Sequence, residues 1–295
     1  MAVTLAQSGI LAPVPAAGVY LTFTINSVET LCADLKALAT EANGEDLVVG
    51  LGQATLNALK ADVTGMKEVQ AMTGVGVSSP ATPAALWCWL RGTERGDLLH
   101  RARALTELLK DSFKLQSQTD SFKYQEGRDL TGYEDGTENP EGDDAAAAAL
   151  VSGKARGIDG SSFVVAQLWR HSWSAFEEMT GAAQDDCIGR RRSDNVEFPE
   201  APPSAHVKRT AQESFTPEAF MLRRSMPWSD PHGSGLNFVC FANSFYPFEV
   251  QMGRMLGQED GIVDGLFNFS QPETTAYFWC PPCVEGQLDL SLLNL

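Results

Sequence analysis

The stretch Val19–Leu51, VYLTFTINSVETLCADLKALATEANGEDLVVGL, carries the first fold decision. Residues 19–25 are apolar, aromatic or β-branched almost throughout, the composition of a strand. From Val28 to Leu38, Leu31, Leu35 and Leu38 recur on one helical face, with Ser27 placed to cap the helix. Leu47–Leu51 is a second apolar run of strand length. Downstream, Ala54–Lys60 reads as helix, Leu86–Arg91 as strand and Asp97–Leu109 as helix with apolar residues near a period of 3.6.

The same grammar returns in the second half. Ser162–Trp169 is a strand, Ser174–Met179 a helix and Gly235–Phe241 a strand. Phe248–Leu256 is then a helix and Ala276–Trp279 a strand. Repeated strand–helix–strand units predict an α+β protein of two domains, residues 1–150 and 151–295. The boundary falls within Glu141–Gly160, where AAAAALVSGKARG reads as a helical connector with a flexible exit.

Composition narrows the function classes. The chain has 295 residues, 43% of them hydrophobic, enough for one large or two medium cores. A net charge of −16 repels phosphate backbones and anionic lipid, so neither nucleic acid nor membrane is an expected partner. There is no apolar run of about 18 residues to span a bilayer. The N-terminal segment lacks the basic-then-apolar pattern of a secretory leader. Cys32, Cys88, Cys187, Cys240, Cys280 and Cys283 are scattered, as expected of reduced thiols in a cytoplasmic protein. Two prolines fill the CPPC pair, and no second pair completes a zinc site.

Three segments could carry chemistry. Arg128–Asp144, RDLTGYEDGTENPEGDD, is rich in acids, and one of its carboxylates, Asp135, stands beside Gly136 and three residues after Gly132. Such glycines permit positive φ and close backbone approach, and Asp135 serves either a site or its own turn. His206 lies in APPSAHVKRT, stiffened by Pro202 and Pro203 and followed by Lys208 and Arg209. With four histidines and no paired His spacing, a one-imidazole site is easier to build than a polyhistidine one, and haem iron is commonly held that way. The alternative is a loop histidine beside two solvated cations. In FMLRRSMPWSD, Arg223 and Arg224 point to opposite faces if extended, and an inward guanidinium needs an anion.

Together these segments resemble the dye-decolorizing peroxidases, specifically the bacterial B-type group. GYEDGTENP, SAHVKRT and LRRSMPW carry the likeness. QSGILAP, LWCWLRGTERGDLL, GRRRSDNVEF and GLNFVCFANS extend it nearly end to end. The resemblance implies two ferredoxin-like domains with antiparallel sheets and one b-type haem seated mainly in the C-terminal domain. It implies His206 as the iron ligand, with Asp264 of IVDGLFNFS as its hydrogen-bond partner. It also implies Asp135 as the proton shuttle, Arg223 as the charge-stabilising group and Ser225 facing the same pocket, with Arg224 as the fallback for Arg223. Gly136 and Arg209 are the further cofactor contacts. The implied reaction reduces hydrogen peroxide and oxidises dyes or other aromatic one-electron donors, in a homo-oligomer (dimer or higher). A haem carrier, or a protein that releases iron from porphyrin, is the alternative. An acid–base group over the iron argues against a carrier.

Overall fold

The computed structural model describes residues 5–295. Its first half runs β1 (Ala17–Ile25), α1 (Leu31–Glu41), β2 (Leu47–Leu51), α2 (Gln53–Leu59), β3 (Leu86–Gly92), α3 (Arg95–Leu109) and β4 (Phe113–Phe122). α4 (Gly142–Ala149) follows. The second half runs β5 (Ser162–His171), α5 (Trp173–Glu178), α6 (Gly181–Ile188), α7 (His206–Arg209), β6 (Leu222–Arg223), β7 (Met226–Asp230) and β8 (Gly233–Ala242). It ends with α8 (Tyr246–Met255), β9 (Ser270–Pro272) and β10 (Ala276–Cys280). The first four residues, which open the stretch read for a leader, lie outside the described residues.

The ten strands form one sheet in the order β9-β5-β10-β2-β3-β1-β4-β7-β8-β6, and every pairing is antiparallel. An additional β5–β8 pairing closes eight of them into a ring. Each half keeps its own strand order, β4-β1-β3-β2 and β10-β5-β8-β7, so chain rank reads 4-1-3-2 in both. The halves meet at single register pairs, Trp279 with Leu51 and Ser121 with Trp228. Two independent sheets were the sequence expectation, and the ring joins them. Closure leaves only the short strands Ser270–Pro272 and Leu222–Arg223 as outer members. β4 meets β7 only at Ser121–Trp228, so most of its outer edge stays without a strand partner among the described residues.

Alternation along the strands sorts side chains into two cores. On β3, Trp87 and Trp89 enter the ring interior with Tyr20, Phe241 and Phe278. Leu86, Cys88 and Leu90 face the other way, into the core under α1 and α3. Leu31, Leu35 and Leu38 of α1, with Leu98, Ala102, Leu105 and Leu109 of α3, fill that outer core. Because both faces of β3 are covered, its sequence is apolar without visible alternation.

Several boundaries differ from expectation. Ser27 does not cap α1, which starts at Leu31 behind Thr30. The Ser27 hydroxyl instead accepts from the Glu29 amide at 3.2 Å in a local turn. His206 opens a single helical turn rather than a loop or edge strand.

Candidate functional site

Between the second half's sheet and its helices lies a cavity of about 300 Å³. Its apolar walls come from Leu236 and Phe238 on β8, Phe248, Met252 and Met255 on α8, and Leu266 and Phe269 beyond it. Asp135, Gly136, His206 and Arg223 all line it.

His206 reaches the cavity because Ala205, with extended backbone, turns the chain into α7. Its Nδ1 donates to Asp264 Oδ2 at 2.8 Å. Asp264 is 1% exposed, and its other oxygen accepts from the Leu266 amide at 2.8 Å. A buried carboxylate so anchored fixes the imidazole ring and its tautomer. Nε2 makes no hydrogen bond among the described residues, so its lone pair is available to the cavity.

Asp135 sits on the loop between β4 and α4. That loop turns through Gly132 at φ +91° and Gly136 at φ +81°, which is why glycine stands at both positions. Arg128 braces it, donating to Gly132 O at 2.6 Å and Glu134 Oε1 at 2.8 Å. The Asp135 amide donates to Gly127 O at 3.1 Å. A few residues on, Asn139 ties this loop to the strand bearing Arg223. Its Oδ1 accepts from the Arg223 amide at 2.8 Å, and its Nδ2 donates to Arg223 O at 3.1 Å. The carboxylate and the guanidinium thus hang from one bidentate link, a device the sequence reading missed.

The arginine doublet splits by strand alternation. Leu222 points into the ring interior, so Arg223 points to the cavity and Arg224 back to the interior. Arg223 Nε is buried without a partner, and its guanidinium makes no ion pair among the described residues. Arg224 instead donates to Leu11 O at 2.8 Å.

Two sequence-derived site residues stand elsewhere. Ser225 is buried with its hydroxyl unpartnered, but it is not part of the cavity lining. Arg209 turns away from the cavity: its guanidinium grips both oxygens of Asp260 at 2.8 Å and donates to Arg254 O at 2.7 Å. The pair holds Asp260 down to about 2. Besides Arg223, the cavity is lined by the cations Arg190 and Lys208, both partnered by Glu197.

A further polar group faces the cavity from β5. His171 Nδ1 lies 2.8 Å from Ser270 Oγ, and Nε2 lies 3.1 Å from Asp129 Oδ1. Burial pushes the Asp129 carboxyl up, but hydrogen bonds and charge from His171, with the Thr131 hydroxyl and amide, hold it below the ordinary range. The sequence marked His171 only as a packing or hydrogen-bonding residue. The RDL that opens the loop was its available signal.

The residues suit a flat apolar macrocycle with a metal centre. One imidazole nitrogen is free, apolar walls surround it, and an arginine is left unpaired. The family model described as "Dyp-type peroxidase, C-terminal" matches residues 126–285, more than half of the chain. A dye-decolorizing peroxidase of Rhodococcus erythropolis is 28% identical over 95% of this chain and 88% of that protein. One from Mycobacterium tuberculosis is 25% identical over 92% and 87%. Among solved structures, a DypB variant of Rhodococcus jostii RHA1 in complex with heme matches with TM-score 0.83 at 26% identity, covering 95% and 97%. A putative dyp-type peroxidase of Shewanella oneidensis matches with TM-score 0.84 at 26% identity, covering 97% and 96%. This chain belongs to the Dyp-type peroxidase family.

Proposed function

We propose that this chain is a haem b peroxidase of the B-type group, reducing hydrogen peroxide and oxidising dyes or other aromatic one-electron donors. The carrying observation is the His206–Asp264 pair, whose free Nε2 shares a cavity with Asp135 and the unpaired Arg223. His206 Nε2 would hold the iron, Leu236, Phe238, Phe248, Met252 and Met255 the porphyrin faces, and Gly136 a close approach of backbone. Bound haem supplies the iron through which electrons pass from donor to peroxide.

The chain's own residues supply geometry and protons. Asp264 keeps the proton on Nδ1, leaving Nε2 a more basic ligand. A carboxylate oxygen of Asp135 takes a proton from peroxide and returns it to the departing oxygen, which needs the carboxylate ionised. Arg223 carries a fixed positive charge where negative charge develops, and desolvation makes it count for more than in water. Apart from the loop from Asp129 to Glu138, every residue lining the cavity belongs to the second half, which supports haem seated mainly there.

The 4-1-3-2 strand order in each half supports two ferredoxin-like domains, residues 1–150 and 151–295. Six cysteines without a disulfide fit a cytoplasmic setting, and no helix among the described residues is long and apolar enough to cross a membrane. Homo-oligomerisation rests on the family resemblance alone.

The test is peroxide-dependent dye oxidation by haem-loaded protein, wild type against Asp135→Ala and Arg223→Leu. Loss of one such charge-stabilising group costs about 10²–10³ in turnover. Retained haem with turnover reduced by that factor supports the peroxidase reading. Haem-loaded wild type that turns over no faster than free haem contradicts it and favours the carrier, and equal fast turnover in all three proteins removes Asp135 and Arg223 from the mechanism.

A further inference from the structure

The ring interior, on the opposite face of the sheet from the cavity, holds two arginines; the acids whose charge reaches Arg91, Glu45 and Asp46, form no ion pair with it, and Asp46 is paired with Arg101 instead. Arg91 is 8% exposed and Arg224 half-buried. Neither forms an ion pair among the described residues. Their guanidiniums rest on backbone carbonyls. Arg91 donates to Glu45 O at 2.7 Å and Pro13 O at 2.6 Å, and Arg224 to Arg223 O at 3.1 Å and Leu11 O at 2.8 Å. Leu11 and Pro13 are two residues apart, so both cations are drawn to one short segment of chain.

Orphaned donors gather at the same place. The buried Nε atoms of Arg91 and Arg224 have no partner, nor have Tyr20 Oη, Trp89 Nε1 and Ser121 Oγ. Sheet register puts these groups on one face. Arg91, Gly18 and Ser121 are cross-strand neighbours in one row, and Trp89 and Tyr20 pair in the next. Trp89 and Tyr20 both belong to the interior cluster, which fixes the face. Glycine at position 18 lets Trp89 Nε1 close on this row, since a Cβ there would lie 2.9 Å from it and 3.0 Å from Met226 Sδ. The Arg91 guanidinium stands 4.8 Å over the Trp89 ring.

Guanidinium and indole N–H groups can only donate. Buried groups of this kind left without acceptors call for a water or an ion. Water would satisfy donors, but it would leave two like charges buried together, which is costly. Burial and the facing Arg91 already depress Arg224 to about 10. We propose that the ring interior binds one halide-sized monovalent anion between Arg91 and Arg224, with Tyr20, Trp89 and Ser121 completing its donors. This site is separate from the proposed haem cavity and stands whether or not that reading does.

Crystals of the full chain grown with bromide in place of chloride test it by anomalous diffraction. The expected result is a bromide peak within hydrogen-bond distance of both guanidiniums, inside the ring. Bromide found only on the outer surface, an adventitious ion only, or water alone at that position overturns the proposal. A solution measurement adds a second arm. With chloride exchanged for gluconate at constant ionic strength, the unfolding midpoint of the wild type should rise with chloride, by roughly 2–4 °C per tenfold increase above Kd. Arg224→Asp places a carboxylate beside Arg91 and should abolish that response. A wild type indifferent to chloride, or an Arg224→Asp variant that keeps the response, contradicts the site. If that variant does not fold, the bromide map of the wild type decides.

Discussion

The two halves share one strand order and use it differently. In the first, α1 and α3 lie on the sheet and fill the space with Leu31, Leu35, Leu38, Leu98 and Leu105. In the second, α8 closes one side, but residues 172–221 replace the single helix that joins β1 to β2. That longer connection carries α5, α6 and α7, and a cavity remains where the first half has leucines. A sheet with helices on one face is therefore a scaffold whose function depends on whether its core is filled. The insertion that props it open also delivers His206.

The comparison is most exposed to core substitutions. Leu105→Ala removes a packed side chain from the filled half and should cost about 2–5 kcal/mol in denaturant unfolding of the apo-protein. Leu236→Ala, at a wall that is only partly buried and faces the cavity, should cost roughly 1 kcal/mol, because fewer contacts are lost. Equal losses would erase the distinction between filled and open halves. The next largest effect falls on the histidine anchor. Asp264→Asn should weaken haem affinity by about 10–100-fold in a titration of apo-protein, and an unchanged affinity would show that the carboxylate does not condition the imidazole.

Asn139→Ala cuts the link between the Asp135 loop and the Arg223 strand. Turnover should fall about tenfold for a loss on the order of 1.4 kcal/mol, with haem binding unchanged. A variant that loses haem instead would make Asn139 a structural residue of the cavity wall. The smallest effect concerns Arg209 and Asp260. The arginine's hydrogen bonds lower the Asp260 carboxyl to about 2, so the pair contributes stability above the ordinary carboxylate range near pH 4 that is lost as pH falls through about 2. Asp260→Asn should flatten that part of the acid-unfolding curve. An unaltered curve would mean that the pair adds nothing measurable.

Legibility followed burial and locality. Leu47–Leu51, Leu86–Arg91 and Ala276–Trp279 were readable because they are buried on both sides and hence apolar. β4 was not: Phe113–Phe122 is dominated by polar, largely solvent-facing residues, and its strand character comes from pairing with β1. α6 opens with Gly181 and has little apolar patterning, so no periodic signal announced it. At the site, Asp135, His206 and Arg223 stand in recognisable local motifs. Asn139 acts through the backbone of a residue far along the chain, and Arg209 is captured by Asp260 from another loop. Pairings of that kind belong to tertiary structure, and local sequence does not encode them. The choice between Arg223 and Arg224 became clear only once Leu222 was seen to face the ring interior.

The central claim is that a single imidazole, His206, anchors haem in the open half. The most direct measurement is the absorption spectrum of haem-titrated apo-protein, wild type against His206→Ala, with circular dichroism to show that both are folded. The account predicts a stoichiometric Soret band in the wild type and its loss in the folded variant. A folded variant with the same Soret band and the same affinity would contradict it.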